Sequence, residues 1–159
     1  MAKTVYIEST VPNAYASERQ DAASVYRRDI TRRWWMLQAA LYELCTSEAT
    51  LAELKAGSYA GQQQAVQLVA SLPLIEITDE VYAIADAYVR HQLMPKPAVG
   101  DALHLALASL NELDYLLTWN VRHLANPNKL EHLTVVNRRL GLLSPTIISP
   151  EQLWAENLS

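Results

Sequence analysis

Two short segments each place an acidic or amide side chain next to an apolar run. Side chains in such positions can form a ligand-binding or catalytic site. Asp101 stands directly before the apolar residues 102–106, as an acid does in the first turn of a buried helix. Asn120 follows residues 115–119, which are typical of a buried strand. In an α/β protein, the carboxyl ends of parallel strands and the helix starts beside them line the crevice where ligands bind. We therefore expect Asp101 and Asn120 to face one crevice.

Two further carboxylates follow other strand-like runs. Glu8 comes directly after residues 4–7, and Glu53 lies in a helix-like segment after a second such run. Mg²⁺ and Mn²⁺ prefer oxygen ligands, and a bound ion of this kind polarises a phosphoryl oxygen and lowers the pKa of a bound water. The four side chains together predict a Mg²⁺ or Mn²⁺ site for phosphodiester hydrolysis, with catalytic and metal-binding roles for Glu8, Glu53, Asp101 and Asn120.

Each of these positions also has a simpler explanation when it is taken alone. Asp101 suits a helix start, Asn120 suits the cap of a turn, and Glu53 suits a solvated helix face. His104 shares a helix face with Asp101, but the sequence lacks the cluster of Cys and His that zinc requires. We therefore do not count His104 among the expected ligands.

Other polar residues near these positions are expected to contact substrate or to orient the ligands. Thr118 is expected to orient the metal ligands through hydrogen bonds. His123 is expected to contact a substrate phosphate. Ser9 and Thr10, which follow the first carboxylate, are assigned to the same group. Because three carboxylates would repel one another without a metal ion, we also expect a raised pKa at Asp101 or Glu8.

Strand-like and helix-like segments alternate along the whole chain. Strands are predicted at residues 4–7, 41–46, 74–78, 115–118 and 146–148, with helices at about 20–38, 48–55, 60–71, 79–94, 101–111 and 128–140. Pro12 is expected to end the first strand. Such alternation predicts an α/β fold, with a central parallel sheet flanked by helices on both faces.

The composition predicts a single domain over residues 1–159 in the cytoplasm. Half of the residues are hydrophobic, and the single cysteine fits a reducing compartment. The N-terminus has no signal-peptide pattern, and no apolar run approaches the ~20 residues that span a bilayer, so we expect no membrane contact. The net charge of −4 argues against a general nucleic-acid coat protein but suits a nuclease with acidic metal ligands.

Four of the segments above resemble the motifs of the PIN-domain family, and within it the VapC-type toxins. The resemblance spans nearly the whole chain and rests on residues 5–10, 51–54, 101–106 and 116–120. It implies a parallel sheet flanked by helices, a divalent-metal site and ribonuclease activity restrained by an antitoxin. Glu8 and Asn120 depart from the family, which usually has Asp at both positions. The amide at Asn120 removes one negative charge, which makes a second metal ion less expected and catalysis slower.

Three functions remain open at this point. The first is a Mg²⁺- or Mn²⁺-dependent ribonuclease acting on single-stranded or loop RNA, with a cognate antitoxin and a homodimeric assembly. The second is a PIN-fold module that binds RNA or protein with weak or no catalysis, which the neutral Asn120 favours. The third is a hydrolase of small phosphate compounds. Four arginines would favour a polymeric anion if they flank the crevice, and otherwise form an ordinary solvated face: Arg27, Arg28, Arg32 and Arg33.

Overall fold

A five-stranded parallel sheet forms the centre of the protein. The structure is a computed structural model that describes residues 1–91, 100–120, 124 and 126–155. The strands are β1 Thr4–Ile7, β2 Glu43–Ser47, β3 Leu74–Ile75, β4 Tyr115–Leu117 and β5 Thr146–Ile148. Their order across the sheet is β3-β2-β1-β4-β5, and every pairing is parallel. β1 therefore lies in the middle, with its carboxyl end beside those of β2 and β4.

The described residues form seven α-helices between and beside these strands. They are α1 Thr10–Ala16, α2 Ala22–Leu37, α3 Glu48–Lys55, α4 Gln62–Ala70, α5 Asp79–Arg90, α6 Asp101–Leu110 and α7 Pro127–Leu140. Side chains cap several of these helices; Asp21, Ser47 and Thr78 accept from backbone N–H groups at the starts of α2, α3 and α5. Among the described residues, no helix is long and apolar enough to cross a membrane.

Helices cover both faces of the sheet, because successive residues of β1 point to opposite sides. Tyr6 packs into a core built mainly with α5, α6 and α7. Val5 and Ile7 pack into a second core with α1, α2, α3 and α4. The predicted α/β architecture, with a parallel sheet between two helical layers, is confirmed.

The placement of Pro12 at the end of the first strand is wrong, because Pro12 lies in a helix that the sequence argument did not predict. α1 begins at Thr10 and includes Pro12, which lies in its first turn. Proline is tolerated there because the first backbone N–H groups of a helix have no partner within the helix. The third strand is also shorter than predicted, since it covers only Leu74–Ile75.

Gly61 fixes the close approach of α4 to α1. Its φ is +85°, and a Cβ atom built there would lie 2.2 Å from the carbonyl oxygen of Ala16. Gly57 has a similar φ of +69°, but a Cβ atom there would have no neighbour within 4 Å. The two glycines thus share a backbone conformation and differ in the space around them.

This difference predicts unequal losses of stability on substitution by alanine. Gly57→Ala should cost about 1–2 kcal/mol, which is the penalty for a left-handed conformation. Gly61→Ala should cost about 1–3 kcal/mol more, because the methyl group also displaces backbone. Urea denaturation of both variants measures the difference, and equal losses would show that α4 does not pack this closely on α1.

Candidate metal centre

Glu8 lies at the carboxyl end of the central strand with its side chain held by four hydrogen bonds. The residue is only 2 % exposed. Its Oε1 accepts hydrogen bonds from the Thr10 backbone N–H at 3.0 Å, the Thr118 hydroxyl at 2.8 Å and the Thr10 hydroxyl. The Ser9 hydroxyl donates to Oε2 at 3.2 Å. The start of α1 and the end of β4 therefore fix this carboxylate in place.

Glu53 approaches Glu8 from the last turn of α3. The Ser9 hydroxyl lies 3.2 Å from Glu53 Oε2 and so bridges the two carboxylates. Glu53 Oε1 also pairs with Nε2 of His104. One ligand atom from each of Glu8, Glu53 and His104 lies within 4.8 Å of the others. The Glu53 side chain remains 38 % exposed, so this cluster opens to solvent on the α3 side.

Asp101 and Asn120 form a second pair at the same edge of the sheet. The Asn120 amide Nδ2 lies 3.1 Å and 3.0 Å from the two carboxylate oxygens of Asp101. The backbone N–H of Asn120 donates at 2.9 Å to the hydroxyl of Thr118, which in turn donates to Glu8. Thr118 therefore connects the two pairs through the backbone of Asn120, so the four predicted ligands form two linked pairs.

The other sequence-predicted site residues are placed as follows. Ser9, Thr10 and Thr118 all donate hydrogen bonds to Glu8 and thus lie behind or between the carboxylates. His123 lies outside the described residues. The roles of all these side chains in catalysis or metal binding stay predictions.

His104 is the site residue that the sequence argument set aside. Its ring is completely buried in α6, and its Nδ1 lies 2.7 Å from the hydroxyl of Tyr6. The same hydroxyl lies 2.7 Å from the hydroxyl of Ser47, which caps α3. His104 follows Asp101 by three residues in a helix that is apolar on almost every side, and this was the available signal. A histidine buried in such a helix needs polar partners, and here the nearest are Tyr6 and Glu53.

Burial determines how these groups titrate. The pKa of Glu8 is raised, and the main cause is removal of its carboxylate from water; the nearby His104 and the hydrogen bonds from Thr10 and Thr118 oppose this. The expectation of repulsion between carboxylates as the cause was therefore wrong. Burial alone lowers the pKa of His104, but contact with the Tyr6 hydroxyl, the Glu53 hydrogen bond and the charges of Glu53 and Glu8 together raise it to about 10.

The donor set at this edge suits a hard divalent cation. Glu8, Glu53 and Asp101 offer carboxylate oxygens, which Mg²⁺ and Mn²⁺ prefer. One carboxylate oxygen of Glu8 lies within 4.8 Å of one of Glu53, close to twice the Mg²⁺–oxygen distance of about 2.0–2.1 Å. A cation there would also favour the ionised form of Glu8 and so oppose the effect of burial on its pKa.

The same fold occurs in solved structures of VapC-type proteins. VapC20 of Mycobacterium tuberculosis, described as a toxin that cleaves the sarcin-ricin loop, aligns with a TM-score of 0.55 at 18 % identity over 77 % of this chain and 95 % of that chain. FitAcB from Neisseria gonorrhoeae aligns with a TM-score of 0.54 at 15 % identity, over 94 % of this chain and 99 % of that chain. No family model and no curated protein matches the sequence. The chain thus shares the α/β fold of these structures, which is the PIN-domain fold that its four motif segments predicted.

Proposed function

We propose that the protein is a Mg²⁺- or Mn²⁺-dependent endoribonuclease, the toxin of a toxin–antitoxin pair acting in the cytoplasm. The observation that carries this proposal is the cluster of Glu8, Glu53 and His104 at the carboxyl edge of the sheet. The Asp101–Asn120 pair is linked to this cluster through Thr118. The name of VapC20 as a loop-cleaving toxin supports RNA as the substrate. Single-stranded or loop RNA is the expected target. Its backbone is free to bring the scissile phosphate to the carboxylates at the carboxyl edge of the sheet.

In this proposal Glu8, Glu53 and Asp101 hold the metal ion, and Asn120 adds its amide oxygen. When bound, the ion would polarise the scissile phosphoryl group and lower the pKa of an attacking water. The chain itself orients the ligands: Thr118 fixes Glu8, and Ser9 keeps Glu8 and Glu53 at a constant separation. Such second-layer hydrogen bonds preserve ligand geometry when charge develops in the transition state.

A binding module with weak or no catalysis is the second candidate. The observation that favours it is the amide of Asn120, which already occupies both oxygens of Asp101. A metal ion would have to compete with that amide for the same oxygens. A module of this kind would bind RNA or protein through the same edge without hydrolysis.

Cleavage of RNA with and without added metal separates the two candidates. The purified chain is incubated with hairpin and unstructured RNAs in Mg²⁺, Mn²⁺ or chelator, and the products are mapped by sequencing. Specific internal cuts that require metal are expected for the nuclease. Binding of RNA without cuts in either metal would favour the binding module and refute the nuclease.

The same proposal includes a cognate antitoxin and a homodimer. A toxin nuclease must be restrained in its own cell, so co-expression with the product of a neighbouring small gene should relieve growth arrest. Light scattering on the purified chain gives the assembly state, and a monomer at micromolar concentration would refute the dimer.

Removal of the Tyr6 hydroxyl should weaken metal binding as well as the fold. Tyr6 contacts both His104 and the Ser47 cap of α3, so it positions Glu53 through two routes. Both ring nitrogens of His104 already have hydrogen-bond partners, which leaves the imidazole a positioning role. We expect Tyr6→Phe to lower Mn²⁺ affinity about 10-fold, as for other changes behind metal ligands. Isothermal titration calorimetry with Mn²⁺ measures the effect.

Tyr88→Phe is the matched control for this experiment. Tyr88 is also buried, and its hydroxyl donates at 2.6 Å to Asn137 in the core between α5 and α7. Both substitutions should cost about 1–3 kcal/mol of unfolding free energy. Only Tyr6→Phe should change Mn²⁺ affinity, and an equal change in both variants would refute a positioning role for Tyr6.

A further inference from the structure

We propose that a groove beside the metal centre holds an unpaired nucleotide of the RNA strand, with Arg27 as its main contact. The inference rests on the proposed function and names a binding site for its substrate. The groove has a volume of about 930 Å³, within the range of small-ligand sites. Its walls come from α1, the start of α2 and the turn before α4, and the side chains that matter here are Thr10, Arg19, Arg27, Tyr59, Trp119 and Asn120.

The groove is continuous with the predicted metal ligands. Thr10 lines it and also donates to Glu8, and its hydroxyl accepts the backbone N–H of Trp119 at 2.8 Å. Asn120 lines the same groove and contacts Asp101. A strand with its scissile phosphate at the carboxylates would therefore place an adjoining nucleotide in the groove.

Arg27 forms a flat cationic surface in this groove. Its guanidinium lies over the Trp119 ring, 5.5 Å from the centroid, while the residue itself is exposed. The indole is held in turn by its Nε1, which donates to the Thr31 hydroxyl at 2.8 Å. A guanidinium stacked on a fixed ring keeps a second face for a base and N–H groups for a phosphate.

The arginines in and before α2 differ in whether their guanidinium groups already contact other parts of the protein. Arg28 donates to the carbonyl oxygen of Ser17, and Arg32 donates to that of Tyr15, so both tie α2 to α1. Arg19 pairs with Asp21 at 3.2 Å. Within the part of the chain that the structure describes, Arg27 forms no ion pair with a carboxylate. Its charge thus favours an anionic ligand.

Tyr59 provides an aromatic surface in the same groove. It is 39 % exposed, and its hydroxyl donates at 2.7 Å to the carbonyl oxygen of Leu54. Gln62 donates to the same oxygen at 3.0 Å, which fixes the turn that carries the ring. Arg27 and the exposed ring of Tyr59, beside the predicted metal centre, fit a single unpaired nucleotide better than a duplex, because a duplex keeps its bases stacked on one another.

Binding of a fluorescent, unstructured oligoribonucleotide in chelator tests this groove separately from catalysis. We expect Arg27→Gln to weaken binding about 10-fold and to reduce the slope of log affinity against log salt by about 0.7. Arg27→Lys should keep the salt slope but lose affinity, since a lysine cannot stack as a guanidinium does. Arg33→Gln removes the same charge from an exposed position outside the groove and should change affinity less than twofold.

Several results would overturn the inference. Arg27→Gln with wild-type affinity, or losses of equal size in Arg27→Gln and Arg33→Gln, would exclude the groove as an RNA site and leave it to a protein partner. Absence of any RNA binding by the wild-type chain would do the same. The proposed function fails separately: if the wild-type chain binds RNA through Arg27 but makes no cuts in Mn²⁺, the nuclease is refuted and the groove stands.

Discussion

Asp101→Asn should reduce RNA cleavage at least about 100-fold while the protein stays folded. The substitution removes one of three carboxylates at the predicted metal centre but keeps the size of the side chain. A 100-fold loss corresponds to about 2.7 kcal/mol of transition-state stabilisation. The expected cost to the fold is smaller, about 0.3–1 kcal/mol, because Asp101 sits in the first turn of α6, where an acid is favourable. Single-turnover cleavage of one RNA in Mn²⁺ and thermal unfolding measure the two effects.

Asp114→Asn gives a matched control for this change. Asp114 precedes β4 at the opposite edge of the sheet, where its Oδ2 accepts hydrogen bonds from the backbone and hydroxyl of Thr4. Loss of that contact should lower stability slightly and leave the cleavage rate unchanged. An Asp101→Asn protein that cuts RNA as fast as the Asp114→Asn protein would refute the catalytic assignment of Asp101.

The architecture and the positions of the four candidate ligands followed from local patterns. Apolar strands with polar residues at their ends define the carboxyl edge of a parallel sheet, and this edge collects Glu8, Asn120 and the start of α6. The position of Glu53 could not be predicted from local patterns alone. It lies in α3, and it reaches Glu8 only because β1 pairs with β2. Periodicity and strand ends therefore predict which residues converge, although not how closely.

The contacts inside the site could not be predicted from the sequence. Tyr6 and His104 are 98 residues apart, and their hydrogen bond depends on how α6 packs against β1. The same packing buries Glu8, so removal from water dominates its pKa, where the sequence suggested repulsion between charges. Pro12 was misread because a proline after a strand ends many elements, yet it is equally compatible with the first turn of a helix. The Tyr6–His104 contact and the burial of Glu8 are set by tertiary packing.

Asn120→Asp should destabilise the metal-free protein and strengthen its response to Mn²⁺. The amide Nδ2 of Asn120 lies 3.0 Å and 3.1 Å from the oxygens of Asp101, so a carboxylate there would place two like charges in contact. A bound cation relieves that repulsion, and a tenfold gain in affinity adds about 1.4 kcal/mol at saturating metal. For a chain of this size the Mn²⁺-induced rise in Tm should grow by about 3–5 °C.

Asn126→Asp is the matched control for the larger Mn²⁺-induced rise in Tm expected of Asn120→Asp. It makes the same change of charge at a helix cap. The Asn126 side chain caps α7 by accepting from the Asn128 N–H, and aspartate caps helices equally well. We expect Asn126→Asp to leave the Mn²⁺-induced shift unchanged. If Asn120→Asp behaved in the same way, with no loss of metal-free stability, Asn120 would only cap a turn. The pairing of Asn120 with Asp101 argues against that outcome, because an amide that touches both oxygens of a carboxylate cannot be replaced by a second carboxylate without cost.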